Sequence, residues 1–230
     1  MQNEQLAAKR KKLKPWILIV LALLAAALLI LLGFRLKGWL QRGQDSRLTA
    51  LVNPWNGIDN SGYLPKLTEV EGVRIDKSAR RPLQEMLDAS RQEGFSPVLT
   101  AGYRSGEEQQ ALFDETVRGL LSGGELSENE AMALASMRVG RPGTSEHELG
   151  LAVDFREDEA LFTWLRDNAW RYGFILRYPA GSEETTGRDA DSCHYRYVGK
   201  AAAEQIHAMN ATLEDYLSLF YGDSAQIIFE

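Results

Sequence analysis

Apolar positions fall into two regimes along this chain of 230 residues. Residues 16–34 form an unbroken apolar run of 19 positions, and a helix needs about 20 to cross the hydrocarbon core of a bilayer. From residue 48 onward the apolar runs are short and periodic. Helical spacing predicts a first helix over 76–93, with Asp76 as N-cap and Gly94 as stop. A second is predicted over 107–121, ended by Gly123-Gly124. Ser127 and Glu130 form a capping box that opens a third, running to about Arg138. A fourth spans 157–172 and stops at Gly173, and a fifth spans 201–220 with a break near Asn210. Strands are predicted at 97–101, 151–155, 174–178 and 194–198. Residues 141–144 read as a loop delivering Ser145 and His147, and the polar stretch 179–190 as a mobile loop. The expected fold is α+β. A small antiparallel sheet is packed with helices on one face and leaves the other for a cleft.

Charge divides the chain at the same point. Lys9, Arg10, Lys11, Lys12 and Lys14 precede the long apolar run. A cleaved signal peptide has an apolar core of only about 7–15 residues and a small-residue cleavage site. Gly33-Phe34-Arg35-Leu36-Lys37 offers no such site. The expected organisation is a basic cytoplasmic tail (1–15), a transmembrane signal anchor (16–34), a juxtamembrane linker (35–47) and an extracytoplasmic domain (48–230). The asymmetry behind that orientation is modest, because Arg35, Lys37, Arg42 and Arg47 lie on the far side. The whole chain carries −6; removing the five basic residues and one acid of positions 1–34 leaves 21 basic against 31 acidic, or −10. Phosphate neutralisation requires a basic face, so nucleic acid is not an expected partner. The single cysteine excludes an internal disulfide.

The chemistry concentrates at two of the three histidines. His147 lies in Ser145-Glu146-His147-Glu148-Leu149-Gly150-Leu151-Ala152-Val153-Asp154, and His194 in Asp191-Ser192-Cys193-His194-Tyr195-Arg196-Tyr197. Gly150 can turn the chain from loop into strand. Within that strand Leu151, Val153 and Phe155 face one way, and Ala152 and Asp154 the other. Ala152 is small, so Asp154 can share its face with an approaching metal, and His194 can supply a third ligand from a neighbouring strand. Two imidazoles and a carboxylate make a three-ligand zinc site with one coordination position left open, the mark of a hydrolytic rather than a structural centre. Cys193 should point away from His194 and pack. His207 sits in an ordinary helix.

The first of these segments resembles the S-x-H-x-x-G-x-A-x-D signature of the VanY-type D-alanyl-D-alanine carboxypeptidases, zinc peptidases of the bacterial cell wall. The second resembles that family's E-x-W-H-[FY]-R-Y-V-G segment, with Asp191 in place of Glu and Cys193 in place of Trp. Leu99-Thr100-Ala101-Gly102-Tyr103-Arg104-Ser105 followed by Gln109 is similar to the family's S-G-Y-R-S-x-x-x-Q. Leu51-Val52-Asn53 and Tyr63-Leu64-Pro65 look like the beginning of its domain. The resemblance covers roughly residues 48–220. It implies zinc on His147, Asp154 and His194, and Asp191 as the general base. It also implies Arg104 on the substrate's terminal carboxylate, a bidentate match for guanidinium. Ser145 is implied in contacting substrate or orienting its loop, and Tyr103 and Gln109 in shaping the pocket. The implied activity is removal of the terminal D-alanine from peptidoglycan stem peptides. An L,D-carboxypeptidase or endopeptidase on the same scaffold, or a wall-binding protein that has lost its base, stays open. The two departures at Asp191 and Cys193 keep the last reading in play.

Overall fold

A hairpin of β1 (Leu67–Val70) and β2 (Val73–Asp76) leads into the first long helix, α1 (Lys77–Gln92). The computed structural model describes residue 17, residues 46–58 and residues 64–221. The chain divides into two units, Met1–Ser46 and Arg47–Glu230. The basic tail, the apolar run at 16–34 and nearly all of the linker lie outside the described residues, apart from position 17. Among the described residues no helix is long and apolar enough to cross a membrane.

Asp76 ends β2 and caps α1. Its Oδ1 accepts the N–H of Ser78 at 2.8 Å, and its Oδ2 accepts the N–H of Lys66 at 2.9 Å. One carboxylate therefore fixes both the helix start and the hairpin. The helix buries Ala79, Leu83, Met86 and Leu87, spaced as one helical face. Replacing Leu83, fully buried, with Ala should cost about 2–5 kcal/mol.

The remaining strands are β3 (Leu99–Ala101), β4 (Ala152–Phe155), β5 (Phe174–Tyr178) and β6 (Asp191–Tyr197). They form one antiparallel sheet in the order β3-β4-β6-β5. Leu151, Val153, Phe155 and Tyr195 join α1 and α4 (Glu159–Asn168) in the main core, as the alternation predicts. Helices α2 (Gly106–Leu121) and α3 (Glu128–Arg138) form a hairpin in the long connection between β3 and β4. Both open on capping boxes, Ser105/Glu108 and Ser127/Glu130. A short helical turn, α5 (Glu183–Thr186), precedes β6, and α6 (Lys200–Met209) and α7 (Leu213–Tyr221) close the domain. They break at Asn210, which takes a left-handed φ of 48°. A second core of Ile175, Val198, Ala203, Ile206, Leu213 and Leu217 holds them to the sheet.

Three expectations are corrected. The stretch 179–190 is packed, not free: Thr186 and Arg188 are buried, and the Arg188 guanidinium donates to the carbonyls of Ser136 and Thr144. Strand β6 begins at Asp191, three residues before the predicted start, because Asp191 pairs with Tyr178. The fourth helix starts at Glu159, where Asp158 caps the N–H groups of Ala160 and Leu161.

Candidate metal centre and substrate cleft

Three local devices bring the metal-ligating residues together. The first is the turn after β3. Gly102 lies so close to the Arg74 carbonyl that a Cβ would sit 2.3 Å from it, which only glycine tolerates. The Gly102 carbonyl then accepts Nδ1–H of His147 at 2.6 Å. The second is the 3₁₀ turn Glu146–Leu149, which ends on Gly150 at a φ of 67°. That left-handed residue swings the chain from the turn into β4, as the sequence suggests. The third is the register of β4 against β6, which sets Asp154 opposite His194.

Nε2 of His147 lies 3.2 Å from Oδ1 of Asp154, and Nδ1 of His194 lies 2.9 Å from the same oxygen. The ligand atoms of the three residues all fall within 4.8 Å of one another. Ligands about 2.0–2.2 Å from a tetrahedral ion stand about 3.4 Å apart, so the set fits a zinc-sized ion. Nε2 of His147 is buried and, although 3.2 Å from Asp154, meets hydrogen-bond geometry with no group among the described residues. With Nδ1–H given to Gly102, its lone pair is presented to the cluster. His194 is arranged the other way round: Nδ1 faces Asp154, and Nε2 faces Oε2 of Glu146 at 3.5 Å. Each imidazole thus has an outer partner that orients its ligating nitrogen.

The electrostatics agree. Burial lowers the pKa of His147 and keeps it neutral, against the pull of Asp154. For His194 burial acts in the same direction, but hydrogen bonds with Asp154 and Glu146 outweigh it and raise the pKa to about 9. Burial also opposes the charge on Asp154, yet the two histidines hold its carboxyl well below the ordinary range.

A cleft of about 160 Å³ opens over this cluster. Arg104, Ser145, Tyr178 and Asp191 line it together with the three ligands, and Leu112, Met137 and Val139 give it an apolar wall. Asp191 and His194 are three residues apart and would ordinarily alternate in facing. A register shift between Leu176 and Tyr178 lets both line the cleft, the usual use of a bulge beside a site. Oδ1 of Asp191 accepts both N–H and S–H of Cys193 at 2.9 Å. Cys193 packs against the main core, and burial followed by Asp191 pushes its thiol pKa up, the opposite of an activated nucleophile.

Not every predicted substrate residue lines the cleft. Gln109 is fully buried behind Arg104 and bonds its Nε–H at 3.0 Å. Tyr103 lies under the Arg74 guanidinium, 5.0 Å from the ring centre to Cζ. Neither lines the cavity. The two glutamates beside His147 have other tasks: Glu148 accepts the N–H groups of Gly143 and Ser145, and Glu146 is fully buried among cations. Tyr178, whose ring lies 5.0 Å from that of His194, is a site residue that the sequence does not announce. Its place follows from the bulge, which sequence alternation does not reveal.

An α+β domain with two histidines and an aspartate converging beneath a cleft with a buried-stem arginine defines a candidate metal-dependent hydrolase. The family model described as VanY, D-alanyl-D-alanine carboxypeptidase, matches residues 72–200, and the chain belongs to that family. A D-alanyl-D-alanine carboxypeptidase of Enterococcus faecalis is 42% identical over 175 residues, covering 73% of this chain and 65% of that protein. The chain therefore spans just under two thirds of that curated relative. The vancomycin-resistance D,D-pentapeptidase VanY from a VanB-type cassette, solved as a mutant with Zn(II), is 40% identical with a TM-score of 0.71. The alignment covers 74% of this chain and 99% of that one. VanYB solved with D-alanine-D-alanine is likewise 40% identical, with a TM-score of 0.70 over 74% of this chain and 97% of that one.

Proposed function

We propose that this chain is a zinc-dependent D,D-carboxypeptidase that removes the C-terminal D-alanine from peptidoglycan stem peptides. The observation that carries the reading is the convergence of His147 Nε2, Asp154 Oδ1 and His194 Nδ1 in a cleft that also holds Arg104 and Asp191. Family membership and the zinc and D-alanine-D-alanine complexes of the related enzymes support it.

Zinc on those three ligands would make its bound water acidic near neutral pH and polarise the scissile carbonyl. Arg104 binds the substrate's terminal carboxylate through its Nη edge, since Nε is given to Gln109. Asp191 takes the proton from the attacking water and returns it to the leaving amine of D-alanine. Its Oδ2 makes no hydrogen bond among the described residues, while Oδ1 is held by Cys193. The apolar wall of Leu112, Met137 and Val139 excludes water from one side of the peptide.

Residues 16–34 anchor the protein in the membrane, with the domain outside the cytoplasm. The length of the apolar run and the basic cluster before it support this. Full-length protein should stay in the membrane fraction after a carbonate wash, and protease added to intact protoplasts should digest the domain. Release of a shortened soluble form would sink the anchor.

The activity is tested by incubating the protein with defined penta- and tetrapeptide stems and weighing the products. Loss of one D-alanine from the pentapeptide, abolished by a chelator and restored by zinc, is expected. Cleavage of the tetrapeptide alone would point to an L,D-carboxypeptidase, and cleavage of neither to a wall-binding protein.

A further inference from the structure

A buried chain of charged groups runs from His194 to the C-terminal helix. Oε2 of Glu146 faces Nε2 of His194 at 3.5 Å. Oε1 of the same carboxylate accepts Nε–H of Arg177 at 2.8 Å and lies 2.8 Å from Nη1 of Arg196. Arg177 gives its other edge to Glu214 on α7, Nη1 to Oε2 at 2.8 Å and Nη2 to Oε1 at 2.6 Å. Asn53 completes the far end by donating Nδ2–H to Oε1 of Glu214 at 3.0 Å. The side chains of Arg177, Arg196 and Glu146 are wholly enclosed.

The geometry makes the ends depend on each other. Guanidinium is planar and rigid, so the carboxylates on its two edges fix each other's positions. The Nε edge faces Glu146 and the Nη fork faces Glu214. Without Glu214 the fork would be buried and unpaired, a costly state. Its cheapest relief is to turn toward Glu146 and take that carboxylate with both Nη groups. That movement would draw Glu146 away from Nε2 of His194 and loosen the ring whose Nδ1 faces the metal cluster.

We infer that Glu214 is a positioning residue for the metal ligand His194, acting through Arg177 and Glu146, so that the carboxylate α7 presents to the Arg177 fork, and not the packing of the helix, tunes the affinity of the metal centre. The inference rests on the zinc reading above and deepens it. Glu214 lies 20 residues beyond His194 in the chain and does not line the cleft.

The test compares full-length wild type with Glu214→Gln and Leu217→Ala. Zinc affinity is measured by chelator competition, and ligand geometry by the visible spectrum of the Co(II)-loaded protein. Removing a group bonded directly to a metal-ligating histidine typically costs 10–100-fold in affinity. One step further out, E214Q should lose about 3–10-fold and shift the cobalt bands. Leu217 is buried in the second core on the same helix, so L217A should lower thermal stability and leave both metal readouts unchanged. If E214Q keeps wild-type affinity and spectrum, the inference is overturned. Equal zinc loss in L217A overturns it too, because a loosened helix would then suffice. Should E214Q fail to fold, Arg177→Lys keeps the charge and loses the fork; unchanged zinc affinity in that variant overturns the inference as well. A wild type that takes up no zinc would instead sink the metal reading itself.

Discussion

Gln109 holds Arg104 from inside the fold. Its Oε1 accepts Nε–H of the arginine at 3.0 Å, and its amide nitrogen donates to the carbonyls of Val139 and Gly140 at 2.7 and 2.9 Å. All its polar atoms are used, so it joins α2 to the end of α3 and leaves the Nη edge of Arg104 for a ligand. Gln109→Met keeps the volume and drops the bonds. A buried donor left unpaired costs about 1–3 kcal/mol, so kcat/KM should fall by about 5–100-fold, mostly through KM, with zinc content unchanged. Arg104→Lys should fall further and lose discrimination between acid and amide C-termini. Steady-state kinetics on both substrates decides; a Gln109→Met enzyme with wild-type KM would remove this role.

Zinc and a proton compete for Nδ1 of His194. Without metal, hydrogen bonds to Asp154 and Glu146 overcome burial and raise this histidine to about 9. Binding zinc below that pH must expel the proton. Affinity should therefore climb with pH, about tenfold per unit from this group, and level off near 9. The sign for the metal-free fold is opposite. A raised pKa gives stability that is complete below the unfolded value, about 6.5, and lost as pH rises through 9. Calorimetry at pH 7 in buffers of different ionisation enthalpy should count about one proton released at this residue. Zinc uptake with no proton release would contradict the assignment.

Glu146 offers a separate test in the metal-free protein. Burial opposes its charge, but Arg177 first, then Arg196 and His194, hold its carboxyl well below the ordinary range. Glu146→Gln leaves two enclosed arginines short of a carboxylate, and breaking such a pair costs about 3–5 kcal/mol. A depressed pKa gives stability that is present above the unfolded value near 4.5 and lost as pH falls through the folded one. The gap between wild type and Glu146→Gln, from urea midpoints, should be widest above about pH 4.5 and narrow in stronger acid. A gap flat across that window would mean that the ionised carboxylate is not what the fold needs.

The parts of this site that the sequence discloses are those where chemistry and periodicity act on the same short segment. His147, Gly150 and Asp154 lie within eight residues, and the alternation of β4 alone separates Leu151, Val153 and Phe155 from Asp154. The cap at Asp76, the capping box at Ser127 and the break at Asn210 are equally local. What stays hidden depends on partners far along the chain. Arg177 lies 31 residues from Glu146 and 37 from Glu214, and each alone reads as an ordinary surface charge. Gln109 reads as a pocket residue because sequence marks which residues recur near a motif, not which side of Arg104 they occupy. Strand β6 starts earlier than its own residues suggest, since Asp191, Ser192 and Cys193 have little strand preference. Pairing with Tyr178 overrides it.

Asp191 and Cys193 depart from the family's motif, and the two departures form one unit. Oδ1 of Asp191 takes both the N–H and the S–H of Cys193, and this fixes the shorter acid on the bulged start of β6. A working base must come within about 2.6–3.2 Å of the water it deprotonates, so the placement of Oδ2 is critical. Asp191→Asn keeps the shape and removes the basicity. It should lower kcat by about 10²–10⁴-fold, the range for a positioned base, with zinc still bound. Asp191→Glu adds a methylene to a carboxylate already held, so the site should not gain: activity should fall, and fall less when Cys193→Ala removes the S–H half of the grip and leaves the backbone N–H. If Asp191→Glu alone raises kcat, the aspartate is a shortened glutamate and not an acid the site was built around. If Asp191→Asn turns over at the wild-type rate with saturating zinc, the proton is handled elsewhere, and Glu148, the half-buried carboxylate near Arg104, is the next to replace.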